Sequence, residues 1–201
     1  MRKLKFFLRD IFINYFNRRK LNKSNISLLS SNCNGGFILH DLKYKFCTPT
    51  INLYMNSYDF VRFLENLDYY MTLEVEENKE SHSDYPIGRL GDLTIHFMHY
   101  KNFTDAREKW NQRISRLDMS NLYIMMTDRD GCTIELIKKF DKLPFKNKVI
   151  FTHKEYCSIK SAFYIKGFED CSEVGELSQY VSKWSLKRYY DQFDYVKWFN
   201  S

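Results

Sequence analysis

Nowhere does this chain hold an apolar run long enough to cross a bilayer, and its N-terminus lacks the uninterrupted apolar stretch and small-residue cleavage site of a secretory signal. A cytoplasmic protein is expected, with a peripheral position at the inner membrane face as the variant. Glycine (7) and proline (3) are scarce in 201 residues, which argues against disorder and against a turn-rich β-sandwich. No C-x-x-C pair occurs among Cys33, Cys47, Cys132, Cys157 and Cys171, and their number is odd, so reduced thiols fit better than a zinc site or a disulfide frame. A long basic tail is also missing: the net charge of +6 arises from basic residues scattered among 25 acids, and a nucleic-acid partner is not expected.

What the chain has in quantity is aromatic residues, 17% of the total, in a length that suits one domain with a sizeable core. Residues 1–22 place Leu4, Phe7, Leu8, Ile11, Phe12 and Tyr15 at helical spacing amid Arg2, Lys3, Lys5, Arg9, Arg18, Arg19 and Lys20. That is a basic amphipathic helix. It suits either an anionic membrane surface or a berth on its own domain.

Residues 23–201 read as a single α/β domain. Strands are expected at Ile26–Ser31, Asp92–Tyr100, the segment Leu122–Gly131 whose apolar run closes in Asp128-Arg129-Asp130-Gly131, Lys148–His153 and Ser161–Ile165. Helices are expected near Phe37–Leu42, from Ser57 as N-cap to about residue 71, from about Thr104, and from Thr133 to Phe140. Pro49 bars Tyr44–Leu53 from a central strand and makes it an edge strand or an active-site loop, and residues 74–85 read as a solvated acidic loop. A helical C-terminus follows, in which Val181, Trp184, Tyr189, Phe193, Val196, Trp198 and Phe199 supply core packing or a subunit contact. Alternation of strand and helix predicts a Rossmann-like three-layer domain with a mainly parallel sheet.

If the first four strands are parallel, Ser31–Gly36, His99–Lys101, Thr127–Gly131 and Thr152–Lys154 meet at the carboxyl edge, where open α/β sheets bind ligands. The loop Ser31, Asn32, Cys33, Asn34, Gly35, Gly36 can present backbone N–H groups to a phosphate. It can equally be a tight turn, with both glycines at positive φ and Asn32 or Asn34 capping the next helix. Asp128-Arg129-Asp130 has the D-x-D form with which nucleotide-sugar transferases hold Mg²⁺ or Mn²⁺; the alternative is a helix-capping acid beside an Asx-turn. His153 is the candidate base, with His40 and His99 as lesser ones, and His40, Thr127, Arg129 and Lys154 are further substrate contacts. Cys33 as a nucleophile finds no histidine fixed beside it by sequence.

Together, Ser31-Asn32-Cys33-Asn34-Gly35-Gly36 with His40, Thr48-Pro49-Thr50-Ile51-Asn52-Leu53, Met126-Thr127-Asp128-Arg129-Asp130-Gly131, and Lys148-Val149-Ile150-Phe151-Thr152-His153-Lys154 resemble a bacterial family of unknown function. The resemblance extends from about residue 24 through Lys187-Arg188-Tyr189-Tyr190-Asp191. Its members are often labelled exopolysaccharide biosynthesis proteins, which implies work near assembly or modification of a cell-surface polysaccharide. Two expectations follow. One is a sugar or phosphosugar transferase using an activated donor, or a related acyl- or phosphotransferase, with Asp128, Asp130 and His153 catalytic. The other is a non-catalytic accessory protein that recruits or regulates the polysaccharide machinery.

Overall fold

A computed structural model describes residues 2–201; Met1, the first residue of the expected N-terminal helix, lies outside them. In chain order the elements are α1 Arg2–Arg9, α2 Tyr15–Lys20, β1 Ser27–Ser30, α3 Asn34–Asp41, α4 Ser57–Glu65, α5 Leu67–Thr72, β2 Glu76–Glu77 and β3 Ile87–Leu90. There follow β4 Leu93–His96, α6 Phe103–Ile114, β5 Leu122–Thr127, α7 Ile134–Lys142, β6 Asn147–Thr152, β7 Ala162–Tyr164 and α8 Tyr195–Phe199. A π-helical turn at Asp10–Asn14 joins α1 to α2.

The fold is mixed α/β: a four-stranded parallel sheet in the order β1-β5-β6-β7 and a separate antiparallel sheet, β2-β3-β4. β5 is buried along its whole length, as expected of an inner parallel strand covered on both faces. Its alternate side chains feed two cores. Ile124 and Met126 pack with Leu29 and Ile150 under α4, α6 and α7, whereas Tyr123 and Met125 pack with Leu28, Phe151, Tyr190 and Phe199 on the other face.

Four expectations change. Residues Leu93–His96 are a strand, but they pair with β3 and not with the parallel sheet, because Gly91 at φ +62 allows a tight turn with Leu90 opposite Leu93. The acidic segment carries β2 at the edge of that same sheet. The expected long helix breaks at Asn66 (φ −131) into α4 and α5, and its N-cap is Asn56, whose side chain accepts from Asp59 N. The C-terminal segment is mostly irregular, with only a 3₁₀ turn at Tyr189–Gln192 and α8 helical; Val181 and Trp184 are exposed and not packing residues.

Loop 48–55 shields the outer edge of β1. Thr50 Oγ1 accepts from Ser30 N, Thr48 Oγ1 donates to Leu28 O, and Met55 N donates to Ser31 O. Side-chain hydroxyls thereby satisfy backbone groups that another strand would otherwise claim.

The N-terminal helix docks by its polar side. Arg9 is fully buried, donating to Asp41, Asp191 and the Leu186 carbonyl, while Arg18 reaches the Asp41 carbonyl and Asn17 reaches the Tyr195 hydroxyl. Burial opposes the charge of Arg9, but the hydrogen bond to Asp191 and the neighbouring Asp41 more than offset it and hold the guanidinium protonated.

Candidate functional site

At the carboxyl edge of the parallel sheet, the ends of β5 and β6 bring Asp128 and His153 together. Asp128 Oδ2 accepts from His153 Nδ1 at 2.6 Å and from His153 N at 2.8 Å, and Oδ1 accepts from Val174 N at 2.8 Å. A carboxylate that already accepts two backbone N–H groups is an acceptor toward the ring as well, so the imidazole hydrogen is assigned to Nδ1. Both residues are buried. His153 Nε2 is sealed from solvent and has no partner among the described residues.

The acids of the D-x-D segment therefore play unlike parts. Asp128 has both oxygens engaged, and neither acid caps α7, whose N-cap is Thr133. Asp130 sits at φ +59 before Gly131 at φ +80, its N–H donates to Glu173 Oε2, and burial pushes its carboxyl upward against the pull of Arg129 and His96. Arg129 Nε lies 3.8 Å from Glu173 Oε1, within ion-pair range but beyond a hydrogen bond. Among the described residues no three His, Cys, Asp or Glu side chains are grouped to hold a metal ion. Three N–H donors already occupy most of the acceptor sites of the buried Asp128 carboxylate.

The loop after β1 is tied to the same edge, since Asn32 Nδ2 donates to the Thr127 hydroxyl at 2.8 Å. Its N–H groups are partly spoken for. Asn34 N donates to Asn32 Oδ1 and Gly35 N to Ser30 Oγ, and both glycines are in α3 with negative φ, so the expected positive-φ turn is not formed. Gly35 is demanded instead by close packing, as a Cβ there would lie 2.7 Å from Ser30 Cβ. Ser31 is buried and donates its N–H to Met125 O; Lys154 is exposed, its carbonyl accepting from Thr152 Oγ1.

Beyond this loop, Cys33, Gly36 and His40 line one cavity of about 460 Å³ with His99, Asn52 and Arg188. His99 arrives there from the loop after β4, and Asn52 from the shield of β1 at φ +62. Sequence reasoning offered Tyr44–Leu53 as an active-site loop without singling out Asn52, and it missed Arg188, which comes from a distant irregular segment. It also found no histidine for Cys33, whereas two share its cavity. Burial pushes the Cys33 thiol up to about 11, so at neutral pH it is a thiol and not a ready nucleophile. Arg188 is half-buried, donates to the Tyr190 hydroxyl, and stacks over Phe37 and Tyr180.

A family described as a domain of unknown function, DUF1919, matches residues 4–200. The chain belongs to the DUF1919 family. It is also similar to an uncharacterized protein of Haemophilus influenzae, 53% identical over 189 residues that cover 94% of this chain and 91% of that relative. In this DUF1919 member the cavity does not end at Arg188. Phe6, Phe37 and Arg188 also border a second hollow of about 1050 Å³, lined further by Lys3, Lys5, Tyr180 and Lys183 and by one acid, Glu176. The two hollows share that wall, so imidazoles and a guanidinium lie next to a basic, aromatic groove. Cations flanked by aromatic faces suit an anionic group attached to a ring or an apolar body.

Proposed function

We propose that the protein is a transferase acting on a phosphorylated or nucleotide-activated sugar in the synthesis or modification of a cell-surface polysaccharide. The observation that carries the reading is the cavity beside the glycine-containing loop, in which exposed His40 and His99 and half-buried Arg188 surround a space large enough for a sugar phosphate. Arg188 would pair with the phosphate, Asn52 would hydrogen-bond sugar hydroxyls, and His40 or His99 would take the proton of an acceptor hydroxyl. The polysaccharide setting is supported by the resemblance of Ser31–Gly36 and its companion motifs to proteins carrying that label.

His153 is a positioning residue in this reading, since its Nε2 is sealed. Through Asp128 it fixes the ends of β5 and β6, and Thr127 passes that register to Asn32 and the loop. No step runs through Mg²⁺ or Mn²⁺.

A thermal-shift screen with nucleotide sugars, sugar phosphates and acyl-CoA, with and without Mn²⁺, tests the proposal. Stabilisation by a phosphorylated sugar that is lost in Arg188→Gln and His99→Gln supports it. A second reading, a non-catalytic accessory protein, is favoured by the sealed Asp128–His153 pair and by the exposed aromatic residues of the N-terminal helix. It predicts no shift with any of these ligands.

A further inference from the structure

The N-terminal helix is inverted relative to an ordinary surface helix, which buries its apolar stripe and exposes its polar face. Here the buried face is polar, with Arg9, Asn14, Asn17 and Arg18 turned toward the domain. Leu4, Phe7, Ile11, Phe12, Tyr15 and Phe16 face outward, Phe7 and Phe12 each 60% exposed. These positions recur at helical spacing, so they form one continuous apolar stripe of the kind that marks an interaction surface.

We propose that this stripe seats the protein on an anionic bilayer, independently of what the cavity binds. Charge selects that occupant. Lys3, Arg19 and Lys20 are exposed beside the stripe, and Asp10, the sole acid in residues 2–20, is engaged by Arg18. Lys5 holds the adjoining loop by donating to the carbonyls of Ser182 and Lys183, which brings Lys183 and the 86%-exposed Trp184 alongside the first turn of α1. Tryptophan, tyrosine and lysine around an apolar stripe are the set that settles at the boundary between headgroups and acyl chains. A second copy of the chain fits less well, because a two-fold contact through this face sets the same cations against one another. No helix among the described residues is long and apolar enough to cross the membrane, so the helix lies in the interface plane. The basic groove that contains Lys3, Lys5 and Phe6 opens from this same helix.

The test is co-sedimentation of the full chain with sucrose-loaded vesicles of phosphatidylcholine alone, or of phosphatidylcholine with about one third phosphatidylglycerol. The wild type is expected to pellet with the mixed vesicles, and less so as salt rises. Phe7→Ser, Phe12→Ser and Phe16→Ser combined should lower the partition coefficient about tenfold or more, with an unchanged melting midpoint because the positions are exposed. Lys3→Gln with Lys20→Gln should weaken binding to the mixed vesicles alone. Failure of the wild type to pellet with either vesicle overturns the proposal. So does pelleting unaffected by the triple variant, or a wild-type dimer in light scattering that the triple variant dissolves.

Discussion

Asp128 and His153 form a closed pair: one carboxylate oxygen accepts both the ring Nδ1–H and the main-chain N–H of the histidine, and the other accepts Val174 N. Three donors from two separate segments thus converge on one buried side chain. Asp128→Asn leaves a single acceptor oxygen and turns an amide N–H₂ toward a donor, which should cost about 2–4 kcal/mol in urea unfolding. Asp130→Asn should be neutral or slightly stabilising, because burial already penalises the Asp130 charge. Equal losses from the two substitutions would contradict these unlike roles.

Arg9 joins the N-terminal helix to the domain through Asp41 and Asp191, Arg9 and Asp41 buried and the Asp191 side chain nearly covered. Arg9→Met strands two carboxylates in the interior and should destabilise by about 3–5 kcal/mol, with proteolysis of the first twenty residues preceding global unfolding. Retention of wild-type stability would mean that the helix does not dock through this contact.

The thiols should react in an order set by burial. Cys157 and Cys171 are exposed, whereas burial raises Cys33 and Cys132 to about 11. Iodoacetamide at neutral pH, followed by peptide mass spectrometry, should therefore label Cys157 and Cys171 well before Cys33 and Cys132. Rapid labelling of Cys33 would show a thiolate stabilised by His40 or His99, and the nucleophile reading would return.

His96 stacks on Tyr54 with ring centroids 4.2 Å apart, and burial lowers its pKa from the ordinary 6.5 against the opposing pull of Asp59 and Asp130. Its depressed folded value means the unfolded chain binds the proton more readily. The contribution is present above pH 6.5 and is lost as pH falls through the lowered folded value. The ring is partly exposed, so solvent screens the effect and keeps it small. His96→Phe keeps the stack and should flatten the stability profile just below pH 6.5; an unchanged slope there would assign it to another group.

The parallel core was legible because β5 is an unbroken apolar run and β6 carries the apolar block Val149-Ile150-Phe151, and such runs leave few alternatives. Leu93-Thr94-Ile95-His96-Phe97 carried a different signal, strict alternation, which marks a strand with one covered face; the antiparallel sheet follows from it. Misreading that alternation put His99 at the end of a parallel strand. The Asp128–His153 pair was legible as two strand ends, but its inward orientation depends on Val174, which no local pattern announces. The cavity was half legible: Cys33, Gly36 and His40 belong to one loop and helix, whereas Asn52 and Arg188 reach it through irregular segments whose course is set by packing on the sheet.

The central claim is that the Cys33–His99 cavity holds the anionic group of an activated sugar. Isothermal titration of the full chain with a nucleotide sugar or sugar phosphate that raises the melting midpoint tests it most directly, using wild type, Arg188→Gln and His99→Gln. At a hundredfold excess over Kd such a ligand adds about 2.7 kcal/mol, a shift of several degrees, so a binder in the screen is readily seen. Single-site binding weakened about tenfold or more in both variants, with His153→Gln changing stability more than affinity, is the predicted result. Binding that survives both variants, or no binding by any activated sugar, would contradict it.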